Sequence, residues 1–514
     1  MNDDIIIIIL LLNNNGGEGF YPPGRYQIDD VRVFQDFLGK AQGAKPERWL
    51  RIPMGNSAAK EQERKERREN KLRGDLKSLE SIAKVYHEIG LSDKVTLQAE
   101  HHKVSSFLGK KISCDVHGNN VRTLEDALVH HYIHVCDKFA KDGDTDDHLY
   151  LFCRFAESIL HVKNLTRYVT KVLDMFLIDT DSDNIDGNTI DNFFNTMIYC
   201  LEKSLVEGSK QSDKTANVLS PCAYKLDVSD TVSDRYDFEK WLKTKMPMLV
   251  LQFPIFVSKV IFDCHSDGYN FQFDCPALTG HESEILTRLD MHVLATMSLN
   301  LVKHKPKKLF STTENGFGFG NLVNALEGYS GPTLLVIKDL QNNVFGGFTC
   351  QEWEQRKEFY GTENCFLFSI KPTLRILSPR ITSSMNSNFQ YLCSKEHHSK
   401  TLHGIGFGGD KQYTRLFISS DFKTNCTCRS TGLSFDQGSL RDNESDGQYF
   451  TPSTIEIFGY GGEEAEANQA KIRQIRAINI NNRRQVDKSK FLDGFTQEYL
   501  LTNTFKHKRE AEDR

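Results

Sequence analysis

Apolar positions recur with two different periods along this chain, and the change of period divides it. From Leu72 onward the spacing is helical: Leu72, Leu76, Leu79, Ile82, Ala83 and Tyr86 share a face. Thr123 with Asp126 has the form of a helix start for the segment through His134. Leu149 to Leu160 and Val169 to Ile178 read as further amphipathic helices. Tyr236 to Leu242 continues the series, leading through Pro247 to Leu249-Val250-Leu251, and Ile285 to Val302 reads as one more helix. Gly208 to Ser233 is polar and reads as a loop, and His304 to Lys308, with Pro306 inside it, as a hinge.

Beyond the hinge the runs become short. Thr333 to Ile337 is β-branched and leucine-rich, bounded by Pro332 and Asp339, which predicts a buried strand. Asn342-Asn343 tolerates positive φ and turns the chain into a hairpin whose second strand is Val344 to Phe348. Gly346-Gly347 within it predicts a bulge or a close backbone approach. Phe366 to Phe368, Asn388 to Tyr391, Gly404 to Gly409, Leu416 to Ile418 and Ile455 to Tyr460 follow, each punctuated by Gly, Asn or Pro. Many short strands argue for a sandwich, with phenylalanines filling the space between two sheets. The last segment opens with Glu463, Glu464 and Glu466 and continues to Lys471, Arg473 and Arg476, the order a helix dipole favours, with Ile472, Ile475 and Ile478 as a narrow apolar stripe.

The tract Gly331-Pro-Thr-Leu-Leu-Val-Ile-Lys-Asp339, followed by Val344-Phe-Gly-Gly-Phe348, Trp353 and Phe359 to Pro372, resembles the TLDc domain, a β-sandwich module of oxidation-resistance proteins and their relatives. Glu363-Asn364 stands where many such domains carry Gly-Glu. Cys365 to Pro372 and Gly404 to Gly409, together with Met54-Gly-Asn-Ser57, look like the MTOR-associated, lysosomal TLDc subfamily of the EAK type. The resemblance implies an EF-hand-like helical region before the sandwich. It also implies association with the vacuolar proton-pumping ATPase at lysosomal or endosomal membranes, and a role in MTOR-type signalling with MTOR complex components as further partners. In that subfamily a C-terminal helix joins the sandwich in touching the pump, which assigns the contact here to Lys471, Ile472, Arg473, Ile475, Arg476 and Ile478.

The expectation is therefore an α+β chain. Residues 1–53 form a disordered leader, outside the native protein if translation starts at Met54, 54–71 a charged N-terminal segment, 72–304 an α-helical EF-hand-like region, 305–462 the TLDc domain and 463–514 a C-terminal helix and tail. Ile5 to Leu12 is too short to cross a bilayer and follows Asp3 and Asp4, unlike a signal peptide. Initiation at Met54 would expose Gly55 to myristoylation, although Ala59 stands where Ser or Thr is usual. Lys60, Arg64, Lys65, Arg67 and Arg68 would add a basic signal, but Glu61, Glu63, Glu66 and Glu69 alternate with them, as on a solvated helix.

Composition narrows the chemistry. The 514 residues carry a net charge of −5, without the basic balance of a nucleic-acid binder. The twelve cysteines lack zinc-site spacing and read as reduced thiols of a cytoplasmic protein. Asp179, Asp181, Asp183 and Asp186 suggest a calcium loop, but no register supplies the closing bidentate Glu, so no bound metal is expected. His130 and His134 lie one helical turn apart without a third ligand. Gly406 to Gly409 lacks the lysine of a phosphate loop, and no acid–base pair or activated nucleophile can be placed. These absences favour a non-enzymatic adaptor without cofactor. The competing readings are a redox protector acting through cysteine and a calcium-responsive sensor.

Overall fold

The computed structural model describes residues 79–91, 97–112, 121–141, 148–162, 164–178, 185–207, 224–228, 232–263, 283–380, 388–394, 402–410, 413–442 and 448–492. Gly55, the charged N-terminal segment, and Asp179, Asp181 and Asp183 of the candidate calcium loop lie outside the described residues. The fold is α+β: a helical layer, a seven-stranded sheet, a four-stranded sheet and a long C-terminal helix.

The helical layer comprises α1 (Leu79–Ile89), α2 (Leu97–Lys111), α3 (Leu124–Lys141), α4 (His148–Leu160), α5 (Leu165–Phe176), α6 (Gly187–Glu207), α7 (Arg235–Lys245) and α8 (Gln252–Phe256). Local capping fixes the helix ends. Asn164 accepts from the Arg167 N–H at 3.0 Å, and Asp234 from the Asp237 N–H at 2.7 Å. The Thr123 hydroxyl accepts from the Asp126 N–H at 3.1 Å. At the other end of α5, Arg122 donates to the carbonyls of Met175 and Leu177 at 3.1 and 2.9 Å, placing a cation on groups the helix leaves unpaired. Phe238 and Trp241 stack on each other in the core.

The Ile285–Val302 stretch is broken rather than continuous. Thr287 and Asp290 form a reciprocal capping box that starts α9 (Arg288–Ala295), and Ser298 caps a separate short turn, Leu299–Leu301. Two cap residues inside one apolar pattern make two starts. Nor is the polar stretch before Asp234 wholly a loop: β1 (Lys225–Leu226) lies within it.

The larger sheet has the order β1-β6-β5-β4-β3-β11-β2, from β2 (Lys307–Ser311), β3 (Thr333–Asp339), β4 (Val344–Thr349), β5 (Cys365–Lys371), β6 (Thr373–Leu377) and β11 (Pro452–Gly459). All its pairings are antiparallel except β1 with β6. The smaller sheet runs β10-β9-β8-β7, from β7 (Gln390–Cys393), β8 (Gly404–Gly409), β9 (Thr414–Ser419) and β10 (Thr427–Cys428). Two short helices, α10 (Thr312–Asn315) and α11 (Phe319–Leu326), follow β2, and α12 (Gly462–Leu492) follows β11.

Leu335, Ile337, Phe345 and Leu367 turn inward onto Ile405, Phe407, Leu416 and Ile418 of the smaller sheet. Leu334, Val336, Phe348, Phe366 and Phe368 turn the other way and share one continuous core with the helical layer. The aromatics are thus divided between these two cores and a small separate cluster of Phe359, Tyr391 and Phe417, instead of filling only the space between the sheets. A strand covered on both faces needs an unbroken apolar run, which is the pattern of Thr333 to Ile337. The glycines in β4 answer the same crowding. A Cβ on Gly346 would stand 1.9 Å from the Leu335 carbonyl oxygen, and one on Gly347 2.6 Å from the Phe407 ring. Asn342 turns the hairpin with φ +67.

Candidate interaction surface

α12 leaves the sandwich at Gly462, whose φ is +63, and carries Glu463 and Glu464 in its first turn. Ala465 is buried where the chain crosses Gly331. Lys307 on β2 meets Glu466 at 2.6 Å. The next turns lie across the C-terminal end of α11. Gln469, itself buried, donates to the carbonyls of Ala325 and Glu327 at 2.7 and 3.4 Å. Arg473 donates to the Asn324 carbonyl at 3.2 Å. These are the orphan acceptors of the α11 terminus, satisfied by side chains of another helix. Arg476 reaches the Asn324 side chain at 3.0 Å and pairs with Glu327. Ile472 fills the space over Gly328, where an added Cβ would come within 2.9 Å of it.

The six residues expected to bind a partner therefore separate into two sets. Ile472, Arg473 and Arg476 face the chain's own α11 region. Lys471, Ile475 and Ile478 face away, with Ile475 57% and Ile478 50% exposed. Helical twist explains the division, since six residues advance a side chain to roughly 120° from its starting direction. A groove of about 460 Å³ lies along α3, lined by Val121, Arg122, Asp126, Val129, His130 and Ile178, and a larger one of about 770 Å³ lies beside α12, lined by Leu309, Asn321, Ala325, Arg473, Ala477 and Ile480. Sequence reasoning missed that second groove, because β2 and α11 form it together with α12, which lies far later in the chain.

Among the described residues the other candidate chemistry does not converge. Asp186, the described member of the acidic loop, caps α6: its carboxylate accepts from the Thr189 N–H at 2.9 Å and from the Thr189 hydroxyl, and those bonds hold its pKa below the usual range. His130 and His134 are exposed, whereas His131 turns inward to Ser158 at 2.6 Å. Among the described residues no three His, Cys, Asp or Glu side chains gather as a metal site. Burial pushes the thiols of Cys350, Cys426 and Cys428 up to about 11, and that of Cys365 higher still, which disfavours their thiolate forms at neutral pH. Among the described residues no single helix is long and apolar enough to cross a membrane.

Residues 279–461 match the family model of the TLDc domain. The chain is homologous to vertebrate proteins named MTOR-associated protein MEAK7. The zebrafish protein is 31% identical over 168 residues, covering 32% of this chain and 35% of the relative. The Xenopus laevis protein is 28% identical over 246 residues, 45% of this chain and 50% of the relative. The human protein is 28% identical over 183 residues, 34% of this chain and 38% of the relative. The matches span about half or less of the length of these curated relatives.

Proposed function

We propose that this chain is a regulatory TLDc protein linked to MTOR signalling, acting by contact rather than catalysis. It binds the vacuolar proton-pumping ATPase on lysosomal or endosomal membranes through α12 and the adjoining sandwich. Support for the regulatory class comes from the TLDc match and the MTOR-associated relatives. The observation that carries the contact is the division of α12: one side is fastened to α11, while Ile475 and Ile478 stand exposed on the other. Exposed isoleucines on a pre-ordered helix suit insertion of the helix into an apolar groove, because ordering costs little on binding. Acylation of Gly55 would add membrane attachment, with the basic residues after it as the second signal.

The test is pull-down of the pump from cells by three forms: the intact chain, a truncation removing Gln469 onward, and the double variant Ile475→Asp with Ile478→Asp. Recovery is expected to fall at least tenfold for both altered forms. Undiminished recovery by the truncated chain would discard the helix. Mass spectrometry of the native N-terminus settles the acylation: a peptide spanning Pro53-Met54 excludes Gly55 as the acylated residue.

A further inference from the structure

The outer edge of β6 is where the helical layer and the sheet meet in backbone register. β1 is two residues long and is the parallel strand of that sheet, with Lys225 opposite Thr373 and Leu226 opposite Leu374. The Asp227 N–H donates to the Leu374 carbonyl at 2.9 Å. From the helical side, Asp191 accepts from the Leu226 N–H at 2.9 Å, and the Tyr224 hydroxyl donates to Asp290 at 2.6 Å. Leu226 is buried in the shared core. Arg375 on β6 donates to Asp227 at 2.6 Å through Nε and pairs with Asp442 through Nη1. Past Leu377 the edge is closed. There the Ser378 N–H donates to the Asp436 carboxylate at 3.1 Å, and the Arg380 N–H to the Ser434 carbonyl at 2.9 Å.

So short a parallel ladder contributes little by itself. Its departure would not separate the layers, because the core beneath them is continuous from α1 to β11. Release of this edge would therefore be a local opening. We propose that the β6 edge is an acceptor for an extended peptide of a partner protein carrying an apolar residue followed by an acid, and that Tyr224–Val228 is its displaceable intramolecular occupant. Main-chain hydrogen bonds would supply affinity, as in strand addition. The apolar pocket of Leu226 and the Arg375 guanidinium, which keeps Asp442 but loses Asp227, would supply selectivity. A second copy of this chain is the less suitable occupant. Its own segment is tied to its own Asp191, so it reaches this edge only by bringing its helical layer along.

The test uses the full chain and the fluorescent peptide Tyr-Lys-Leu-Asp-Val, the sequence of residues 224–228, read by anisotropy. Leu226→Asp is expected to bind the peptide at least tenfold more tightly than the unaltered chain. Arg375→Glu in that background is expected to remove the gain. A disulfide between Lys225→Cys and Thr373→Cys is expected to abolish binding until it is reduced, and this arm decides the matter if Leu226→Asp does not fold. Equal binding by the oxidised disulfide form and the unaltered chain overturns the proposal, as does a folded Leu226→Asp that gains nothing. A concentration-dependent dimer that disappears on disulfide closure also overturns it, assigning the edge to a second copy.

Discussion

Asp339 ends β3 in a fully buried position. Its carboxylate accepts from the N–H groups of Gln341 and Asn343, from the Asn343 side chain at 2.8 Å, and from Arg441 at 2.9 Å. Arg441 also donates to the Tyr449 carbonyl at 2.9 Å. Replacing Arg441 by Met leaves a buried carboxylate without its cation. The expected loss is about 3–5 kcal/mol, measured by urea unfolding. His131 sets a pH dependence. Burial and nearby Lys171 push its pKa down from 6.5 to about 3, so it is neutral in the fold. The unfolded chain takes up that proton first as pH falls. Stability from this group is thus complete above about 6.5 and declines toward about 3, by up to about 1.4 kcal/mol per pH unit. His292, pushed down to about 4 by burial, acts with the same sign. Melting temperatures at pH 7.5, 6 and 5 should fall in that order, and His131→Gln should flatten the decline. Residue-scale signals were the most legible in the sequence. The positive φ of Asn342, the close approach at Gly346-Gly347 and the Thr123–Asp126 start all rest on one or two side chains and their own backbone.

At the scale of elements, legibility depended on whether an element carries its own signal. The hairpin of β3 and β4 does, and its register, Leu334 opposite Phe348 and Ile337 opposite Phe345, follows from the turn. β1 does not. Lys225-Leu226 is a strand because β6 offers an edge, and nothing within two residues can announce that. The mounting of α12 was equally hidden, since Gln469 and Arg473 bond to carbonyls about 150 positions earlier in the chain. Doubling Gln469→Ala with Arg473→Ala should speed amide exchange across residues 462–476 by an order of magnitude or more. The global melting temperature should move little, because each lost hydrogen bond is worth only about 1 kcal/mol net. Exchange unchanged over that stretch would show that Ala465 and Ile472 hold the helix unaided.

For the whole molecule, the governing fact is a sheet covered twice. Period-two alternation tells a strand which face is buried only when the other face is polar. Here both are apolar, so the sequence pattern announced strands but not the partition of phenylalanines between the two cores. The shared core also predicts behaviour. A fragment comprising residues 305–462 uncovers Leu334, Val336, Phe348, Phe366 and Phe368. A contiguous apolar surface of that kind promotes association. The fragment should aggregate, or bind a hydrophobic dye far more strongly than the full chain. A well-behaved, dye-silent monomer would show that the helical layer is dispensable to the sheet.

α12 runs for 31 residues, a rod about 46 Å long. Its named polar ties to the body end at Arg476, and the remaining 16 positions to Leu492 extend about 24 Å further. A rod clamped at its root sets both reach and rotational phase for whatever grips its outer length. One residue inserted beyond the clamp would swing every later side chain by roughly 100° and advance it about 1.5 Å, so spacing there is under the same constraint as identity.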